Sequence, residues 1–255
     1  MDALLLPPFF RTIRLSEIGS TSDEARRLAA LGAEEGTLVW ADAQTNGHGR
    51  GGRTWISPPG NLYFSVLLRP EGAIADALQL TFAAAVALAE VIEAILQPGA
   101  PRIGCKWPND VLIGGHKVAG ILLESQVAAD GSVEVLVVGI GVNVASHPPA
   151  AAVMYPATSL HAAGADAQTP VTVLQRFCPI FLRWYRTWQQ LGFPPVREAW
   201  LARAEKLHQE VDVQLESGMM TGVFAGLAGN GAMLLQQGGL RRTILAGDVF
   251  PAAAR

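Results

Sequence analysis

The sequence predicts an α+β fold, in which a mixed β-sheet flanked by helices is followed by a small C-terminal β-barrel. Up to residue 207, β-rich runs alternate with segments of helical periodicity. Two of these runs are separated by Gly114-Gly115, which is typical of a hairpin and therefore of antiparallel pairing. After residue 207, four short β-rich runs follow one another closely, which is the pattern of a small barrel. The chain therefore divides into residues 1–207 and residues 208–255.

Composition and charge exclude several classes of protein. Half of the 255 residues are hydrophobic and 16% are charged, which excludes a disordered or fibrous chain. The net charge of -3 provides no overall field that attracts nucleic acid. Two cysteines, Cys105 and Cys178, are too few for a disulfide framework, so a cytoplasmic location is the simplest interpretation.

Neither a signal peptide nor a membrane span is expected. The N-terminal segment, residues 1–8, has an acidic residue where a signal peptide requires basic ones. The long apolar segment at residues 75–96 contains Asp76, Gln79, Glu90 and Glu93, so it fits a buried helix better than a membrane span.

The first elements are predicted from capping and strand signals. Thr21-Ser22-Asp23-Glu24 forms a capping box, in which the Thr21 hydroxyl and the Glu24 carboxylate satisfy the first amides of a helix ending at Gly32. Strands are predicted at residues 37–42 and 61–69. Between them, residues 44–60 contain five glycines and are predicted to form a long mobile loop.

The remaining elements follow from periodicity. After the helix at 75–96, strands are predicted at 102–107, 111–113, 117–124 and 133–144, and a loop at 148–170. A helix with core aromatics covers 171–191, and a second helix ends near Leu207. The barrel strands are predicted at 211–215, 222–227, 232–235 and 243–246.

The segment from Gln44 to Trp55 is the most unusual stretch of the sequence. Its glycine spacing matches a dinucleotide fingerprint, but that motif must open a helix and no helix can follow this segment, so the context argues against dinucleotide binding. A better interpretation is a flexible loop in which glycines allow close backbone approach while Arg50 and Arg53 neutralise a phosphate or carboxylate. A solvated surface loop with two ordinary arginines is the alternative.

Two further stretches carry candidate ligand-binding side chains. Lys117 follows the sequence Lys106-Trp107-Pro108-Asn109-Asp110 and begins an apolar strand, where an ammonium is costly to bury unless an anion meets it. A surface lysine at a hairpin mouth is the alternative. In Gly139-Ile140-Gly141-Val142-Asn143, one amide lies in an apolar strand, either for a ligand or as a core Asn bonded to backbone.

Taken together and in this order, these stretches resemble the biotin protein ligases. The matching positions are Ser20-Thr21, Gln44, Gly47 to Trp55, Lys106 to Asp110, Lys117 to Glu124 and Gly139 to Asn143. The resemblance implies the catalytic fold of that family, which is similar to class II aminoacyl-tRNA synthetases, with an SH3-like C-terminal barrel. Residues 1–207 would then be the catalytic domain that binds biotin and ATP.

The resemblance implies a reaction in two steps. Biotin attacks the α-phosphate of ATP to give biotinyl-adenylate and pyrophosphate, and a carrier lysine then attacks the mixed anhydride. It assigns Lys117 and Arg50 as catalytic residues. The implied biotin-binding residues are Ser20, Thr21, Ser22, Gln44, Gly47, His48, Gly49, Arg50 and Lys117. The implied residues for ATP and the adenylate are Arg50, Arg53, Trp55, Lys106, Asn109 and Asn143.

The same resemblance implies substrates and partners. ATP is expected to arrive with Mg²⁺, because the five histidines have no paired metal-ligand spacing and no metal site of the protein is expected. The expected partner is a biotin carboxyl carrier protein, the acetyl-CoA carboxylase subunit, or a related carrier domain, and a homodimer is compatible with the family. Only 19 residues precede Ser20, so no DNA-binding domain and no DNA contact are expected, as in monofunctional members.

Departures from the family pattern leave alternatives open. His48 stands where an arginine is frequent, Gly51 where a second basic residue is common, and Ser22 where an asparagine is frequent. No tryptophan occurs at residues 148–160 to cover adenine. The alternatives are a lipoate or octanoate ligase or transferase, and a non-catalytic biotin-binding regulator.

Overall fold

A seven-stranded mixed sheet forms the centre of the molecule in the computed structural model, which describes residues 4–252. The strand order is β1-β2-β3-β7-β6-β5-β4. The bounds are β1 Arg11–Ile18, β2 Thr37–Gln44, β3 Leu62–Leu68, β4 Ile103–Lys106, β5 Asp110–Ile113, β6 His116–Val127 and β7 Val133–Val142. Strands β1 and β2 pair in parallel, and every other neighbouring pair is antiparallel. The predicted α+β class is therefore confirmed.

Helices cover both faces of this sheet. The bounds are α1 Thr21–Ala30, α2 Ile74–Ala77, α3 Leu80–Ile95, α4 Pro170–Leu191 and α5 Phe193–Leu201. Helix α1 packs on one face through Ala25 and Ala29, against Val39, Leu67 and Val137 of the strands. Helices α3, α4 and α5 pack on the opposite face in the main core. Of the predicted core aromatics of α4, Phe177, Phe181 and Trp188 belong to a row of stacked rings along the helix, which also includes Tyr185.

The apolar segment Ile74–Ile95 is long and apolar enough to cross a membrane by length and composition, but 67% of its most apolar window is buried in the protein. The predicted single helix is two helices. At the junction the backbone tightens, since the amides of Gln79 and Phe82 bond to carbonyls three residues earlier. The Gln79 side chain there accepts a 2.9 Å hydrogen bond from the Trp188 indole.

A five-stranded antiparallel sheet follows the helices, in the order β11-β10-β9-β8-β12. Its bounds are β8 Glu210–Leu215, β9 Gly218–Leu227, β10 Met233–Gln237, β11 Leu240–Ile244 and β12 Asp248–Pro251. The indole of Trp107 donates to the Gly231 carbonyl at 3.1 Å, and the Trp200 and Phe224 rings meet edge to face. This sheet is thus packed directly on the first part of the chain. The boundary at residues 207 and 208 stays a prediction, and residues 1–3 and 253–255 of the two proposed domains lie outside the described part.

Two further local predictions were wrong. Ser20, not Thr21, caps α1, because its hydroxyl accepts from the Asp23 amide while the Thr21 hydroxyl is bonded elsewhere. The last helix ends at Leu201 rather than near Leu207, because the following backbone bonds to Cys105 of β4 on both sides of Ala204. The sequence analysis also missed β1 and β12. Strand β1 is a polar edge strand, so it lacks the apolar run that marks an interior strand.

Candidate functional site

A cavity of about 370 Å³ lies between the N-terminus of α1, strands β6 and β7, the glycine loop (residues 45–57) and the loop at residues 148–157. Phe250 of β12 contributes to its wall from the C-terminal sheet. Among the residues predicted from the sequence, those that line the cavity are Ser20, Thr21, Ser22, Gln44, His48, Gly49, Arg50, Arg53, Trp55, Lys106, Asn109, Lys117 and Asn143. Folding therefore brings together stretches that are more than a hundred residues apart in sequence.

Gly47 is the one predicted site residue that does not line the cavity. A Cβ atom there would lie 2.5 Å from Ser57 Oγ and 2.6 Å from the Trp55 carbonyl oxygen. The Gly47 carbonyl in turn accepts a 2.8 Å hydrogen bond from the Trp55 amide. Gly47 therefore allows the two ends of the glycine loop to approach each other closely, behind the cavity wall.

One end of the cavity is polar and uncharged. The Gln44 side-chain oxygen accepts from the Thr21 amide at 2.8 Å and from the Thr21 hydroxyl at 3.1 Å. The hydroxyl groups of Thr21 and Ser22 also lie 2.9 and 3.0 Å from the Ser65 hydroxyl. Ser20 is buried at the start of the same helix. Such a cluster of buried neutral donors and acceptors suits a neutral polar ring rather than a charged group.

Ser65 was missed by the sequence analysis. It is fully buried in the apolar strand β3, so a serine inside that run was the signal that could have revealed it. Gly139 faces the same cluster, because a Cβ atom there would come within 2.5 Å of Ser22 Oγ. The small residues at this end leave room for the serine hydroxyls.

The other end of the cavity is cationic. Asp110 lies between two ammonium groups, with Lys117 Nζ at 2.6 Å and Lys106 Nζ at 2.8 Å from its carboxylate oxygens. The side chains of Lys106 and Asp110 are 8% and 7% exposed, and that of Lys117 is 25% exposed. Two ammonium groups and one carboxylate leave one uncompensated positive charge. A site of this kind favours an anion.

Asp110 is ionised in this arrangement. Burial is the largest influence on its pKa and acts to raise it, but the charges and hydrogen bonds of Lys106 and Lys117 outweigh burial and hold the pKa well below its usual range. Asp110 belongs to the motif Lys106 to Asp110, but no role was predicted for it. A carboxylate at the start of the apolar strand β5 was the available signal.

Trp55 lies against the strands that form the cavity wall. A Cβ atom at Gly141 would lie 2.5 Å from the Trp55 indole nitrogen, and one at Gly120 would lie 2.9 Å from the edge of the same ring. Lys117 Nζ is 5.1 Å from the centre of the indole ring, within reach of a cation–π interaction. The position of Trp55 therefore requires glycine at positions 120 and 141.

The glycine loop closes on itself as a short antiparallel bridge between His48 and Thr54. A 3-10 turn at its tip carries Gly51 and Gly52 at φ values of 66° and 72°, which glycine adopts without strain. His48 Nε2 lies 3.6 Å from Glu124, which also bonds to Arg26 at 2.9 Å. Glu124 thus lies beside the base of the loop, a contact that was not predicted from the sequence.

Both arginines of the glycine loop bind Asp248 of β12. Arg53 donates from its two terminal nitrogens to the two carboxylate oxygens, each at 3.1 Å. Arg50 donates to Asp248 and, at 2.5 Å, to the Gly247 carbonyl. Burial is the largest influence on the pKa of Asp248 and acts to raise it, but the hydrogen bonds and charges of both arginines outweigh burial and lower the pKa.

The remaining predicted residues are tied to backbone. Asn109 donates to the Ile121 carbonyl at 2.6 Å, and Asn143 donates to the Thr158 carbonyl at 2.9 Å. Asn143 is therefore bonded to backbone, as one sequence alternative held, and it also lines the cavity. Tyr155 lies close by, with its ring 4.8 Å from Lys106 Nζ. It belongs to residues 148–160, the segment in which no tryptophan occurs.

Comparison with known proteins identifies the family. The sequence profile of the Biotin/lipoate A/B protein ligase family matches residues 18–143. A biotin--[acetyl-CoA-carboxylase] ligase of Paracoccus denitrificans is 40% identical over 239 residues, which cover 92% of this chain and 98% of the relative. The chain belongs to the biotin protein ligase family.

Two further biotin protein ligases agree with this assignment. The bifunctional ligase/repressor BirA of Bacillus subtilis is 34% identical, over 91% of this chain and 71% of its own length. The solved structure of the biotin protein ligase from Aquifex aeolicus in complex with biotin and ATP superimposes with a TM-score of 0.77 at 30% identity, covering 94% of this chain and 97% of that chain. The resemblance that the sequence motifs indicated, and the family fold that it implied, are confirmed.

Proposed function

We propose that this biotin protein ligase family member activates biotin with ATP as biotinyl-5'-AMP and transfers the biotinyl group to a lysine of a biotin carboxyl carrier protein. The observation that carries the proposal is that one cavity has a neutral polar end and a cationic end. The neutral cluster around Thr21 and Gln44 suits the ureido ring of biotin, and the cationic cluster of Lys106, Asp110 and Lys117 suits its carboxylate and a phosphate.

The first step requires two anions to meet. A biotin carboxylate oxygen attacks the α-phosphorus of ATP, the bond to the bridging oxygen breaks, and pyrophosphate leaves with its electron pair. Lys117 is the less buried ammonium of the pair and is positioned by Asp110 at 2.6 Å, so it is the group that bridges carboxylate and phosphate. Positive charge fixed beforehand at this point lowers the barrier more than the same charge in water. Lys106 is held by the same carboxylate and neutralises the phosphate region.

The second step requires a neutral amine. The carrier lysine attacks the carbonyl carbon of the mixed anhydride, a carbon–nitrogen bond forms, and AMP leaves. The adenylate phosphate occupies the cationic end of the cavity in this step, so Lys106 and Lys117 stabilise the negative charge of the departing AMP. The carrier lysine loses its proton to solvent.

Magnesium belongs to the proposal as part of the substrate. Within residues 4–252 no group of three His, Cys, Asp or Glu side chains is arranged to hold a metal ion. Mg²⁺ is therefore proposed to enter bound to the phosphates of ATP, as is usual for this ion. The carrier protein is the proposed macromolecular partner, a homodimer is compatible with the family, and the two unpaired buried cysteines suit a cytoplasmic location.

The deciding experiment is biotin-dependent release of pyrophosphate from ATP, followed by labelling of a biotin carboxyl carrier protein. Lipoate and octanoate are tested in parallel at the same concentrations. We expect release with biotin and little with either acyl acid. Release with lipoate or octanoate instead would support the related ligase activity. Biotin binding without release of pyrophosphate would support a regulator.

A further inference from the structure

The loop that carries Arg50 and Arg53 is fastened to the C-terminal sheet by a single carboxylate. Asp248 receives two hydrogen bonds from Arg53 at 3.1 Å and one from Arg50, and the neighbouring Gly247 carbonyl receives another from Arg50. Four contacts thus join the glycine loop to strand β12, nearly 200 residues later in the chain.

From this contact we infer that Asp248 is a positioning residue for adenylate retention, which holds the glycine loop closed over the cavity. The inference rests on the proposed function. It also gives the C-terminal sheet a task in the reaction, since Phe250 of the same strand lines the cavity two residues further on.

The charge balance favours positioning over competition with the substrate. Two guanidinium groups and one carboxylate leave a single positive charge, which matches the single negative charge of an adenylate phosphate. Arg53 uses both terminal nitrogens on Asp248 and its Nε on the Arg50 carbonyl, so it is fully engaged in holding the loop. Arg50 also donates to the Gly247 backbone carbonyl, a contact that competition for the substrate would not require.

Arg50 keeps one N–H group without a protein partner while Asp248 and Gly247 bind its terminal nitrogen. Its terminal nitrogen binds Asp248 and Gly247, whereas its Nε is buried and has no hydrogen-bond partner. Arg50 also lines the cavity. A buried N–H without an acceptor is costly, and an adenylate phosphate oxygen is an acceptor that would satisfy it.

Strand β12 is a suitable anchor because its backbone is fixed. Asp248 pairs in register with Gln214 of β8. A Cβ atom at Gly247 would lie 3.0 Å from the Gln214 carbonyl oxygen and from side-chain atoms of β8, so the strand is closely packed at the point where it meets the loop. A side chain on a packed strand holds its position better than one on a loop.

The test is the variant Asp248→Asn, which keeps the size of the side chain and removes its charge. We expect trypsin to cut after Arg50 and Arg53 about tenfold faster in the ligand-free variant, because a loop without its anchor adopts a cleavable, open conformation more often. Biotinyl-adenylate should dissociate about tenfold faster, while pyrophosphate release in a single turnover at saturating biotin and ATP changes less than about threefold. The matched control is Glu93→Gln, which removes a two-point contact with Arg203 away from the cavity.

The outcomes are distinct. Parent-like cleavage and parent-like adenylate dissociation in Asp248→Asn would overturn the inference. A lower KM for ATP with unchanged cleavage would also overturn it, because Asp248 would then compete with the substrate phosphate. Equal effects in Glu93→Gln would show a general loss of stability and count against a specific anchor.

Two further arms keep the test decisive. If Asp248→Asn does not fold, Arg53→Gln removes the same contact from the loop side, and unchanged cleavage after Arg50 in that variant overturns the inference. Cleavage of the loop does not depend on catalysis. A parent protein that releases no pyrophosphate with biotin would therefore end the proposed function, while the loop measurement still decides whether Asp248 is the anchor.

Discussion

Lys117 Nζ lies 2.6 Å from Asp110 Oδ1 in a site where the opposite carboxylate oxygen is occupied by Lys106 Nζ. One buried carboxylate therefore sets the position of both ammonium groups. The position of the positive charge proposed to act in catalysis therefore depends on Asp110 as much as on Lys117 itself. Substitution of Lys117 is nevertheless expected to impair catalysis, whereas substitution of Asp110 is expected to destabilise the fold.

Lys117→Gln is expected to slow adenylate formation about a hundredfold, because one preorganised electrostatic donor is worth about 3 kcal/mol in such a site. The fold should persist, since Asp110 keeps its 2.8 Å contact with Lys106. Single-turnover pyrophosphate release measures the effect, and thermal unfolding checks the fold. Lys206→Gln, at a lysine outside the cavity lining, is the control. Near-normal release at saturating biotin would remove Lys117 from the catalytic assignment.

Asp110→Asn is expected to lower the free energy of unfolding by about 3–5 kcal/mol at pH 7, because it leaves two ammonium groups without their carboxylate. The native pKa of Asp110 lies below its unfolded value, so its contribution is present above about pH 4 and is lost as the pH falls further. Urea unfolding at pH 7 and pH 3 should therefore show a smaller difference between parent and variant at pH 3. The exposed Asp130→Asn is the control, and a difference that grows on acidification would contradict the assignment.

Arg50→Gly is expected to form the adenylate but lose it to solvent. It removes the contacts with Asp248 and Gly247 together with the unbonded Nε, a loss of about 1.5–3 kcal/mol for hydrogen bonds to charged groups. Because the released mixed anhydride acylates amines, a bystander protein should acquire biotin on its lysines. Arg241→Gly on the exposed strand β11 should not produce this labelling. Slow adenylate dissociation from Arg50→Gly would show that Arg50 does not retain the intermediate.

Gly141→Ala is expected to displace Trp55, because the new methyl group would lie 2.5 Å from the indole nitrogen. Overpacking of this kind costs about 1–3 kcal/mol, so biotin and ATP should bind about tenfold or more weakly. Binding can be followed by calorimetry, with tryptophan fluorescence as a second measure. Gly229→Ala, where a Cβ atom meets nothing within 4 Å, is the control. Unchanged affinity and fluorescence would mean that Trp55 moves aside without consequence.

The sequence could indicate most of the site because its residues lie in short motifs. Lys106 to Asp110 and Gln44 to Trp55 each place several lining residues within one stretch, so a local pattern reports them. Asp248 and Ser65 lie outside such patterns, and their partners are reached only in the folded chain. Glu124 ends the motif that begins at Lys117, but its contact with His48 also arises only on folding. The predicted mobility of the glycine loop stays a prediction.

The same distinction holds for the fold. Interior strands such as β3 and β7 have apolar runs, and the hairpin at Gly114-Gly115 is marked by its turn, so the sheet could be predicted. The edge strand β1 and the short β12 have weak local signals and are stabilised by pairing with β2 and β8. The cap of α1 was misplaced by one residue because the Thr21 hydroxyl donates to the side chain of Gln44, at the end of β2, instead of capping the helix.

The wall of the cavity includes both the first helix and β12, the last strand of the fold. During synthesis, the segments that form the neutral and cationic ends can therefore leave the ribosome before the segment that carries Asp248. A chain that lacks this segment would form the reactive adenylate without the Asp248 contact that is proposed to retain it. Because the anchor lies on β12 and the neutral and cationic clusters lie on earlier elements, the capacity to retain the intermediate would be acquired after the capacity to form it.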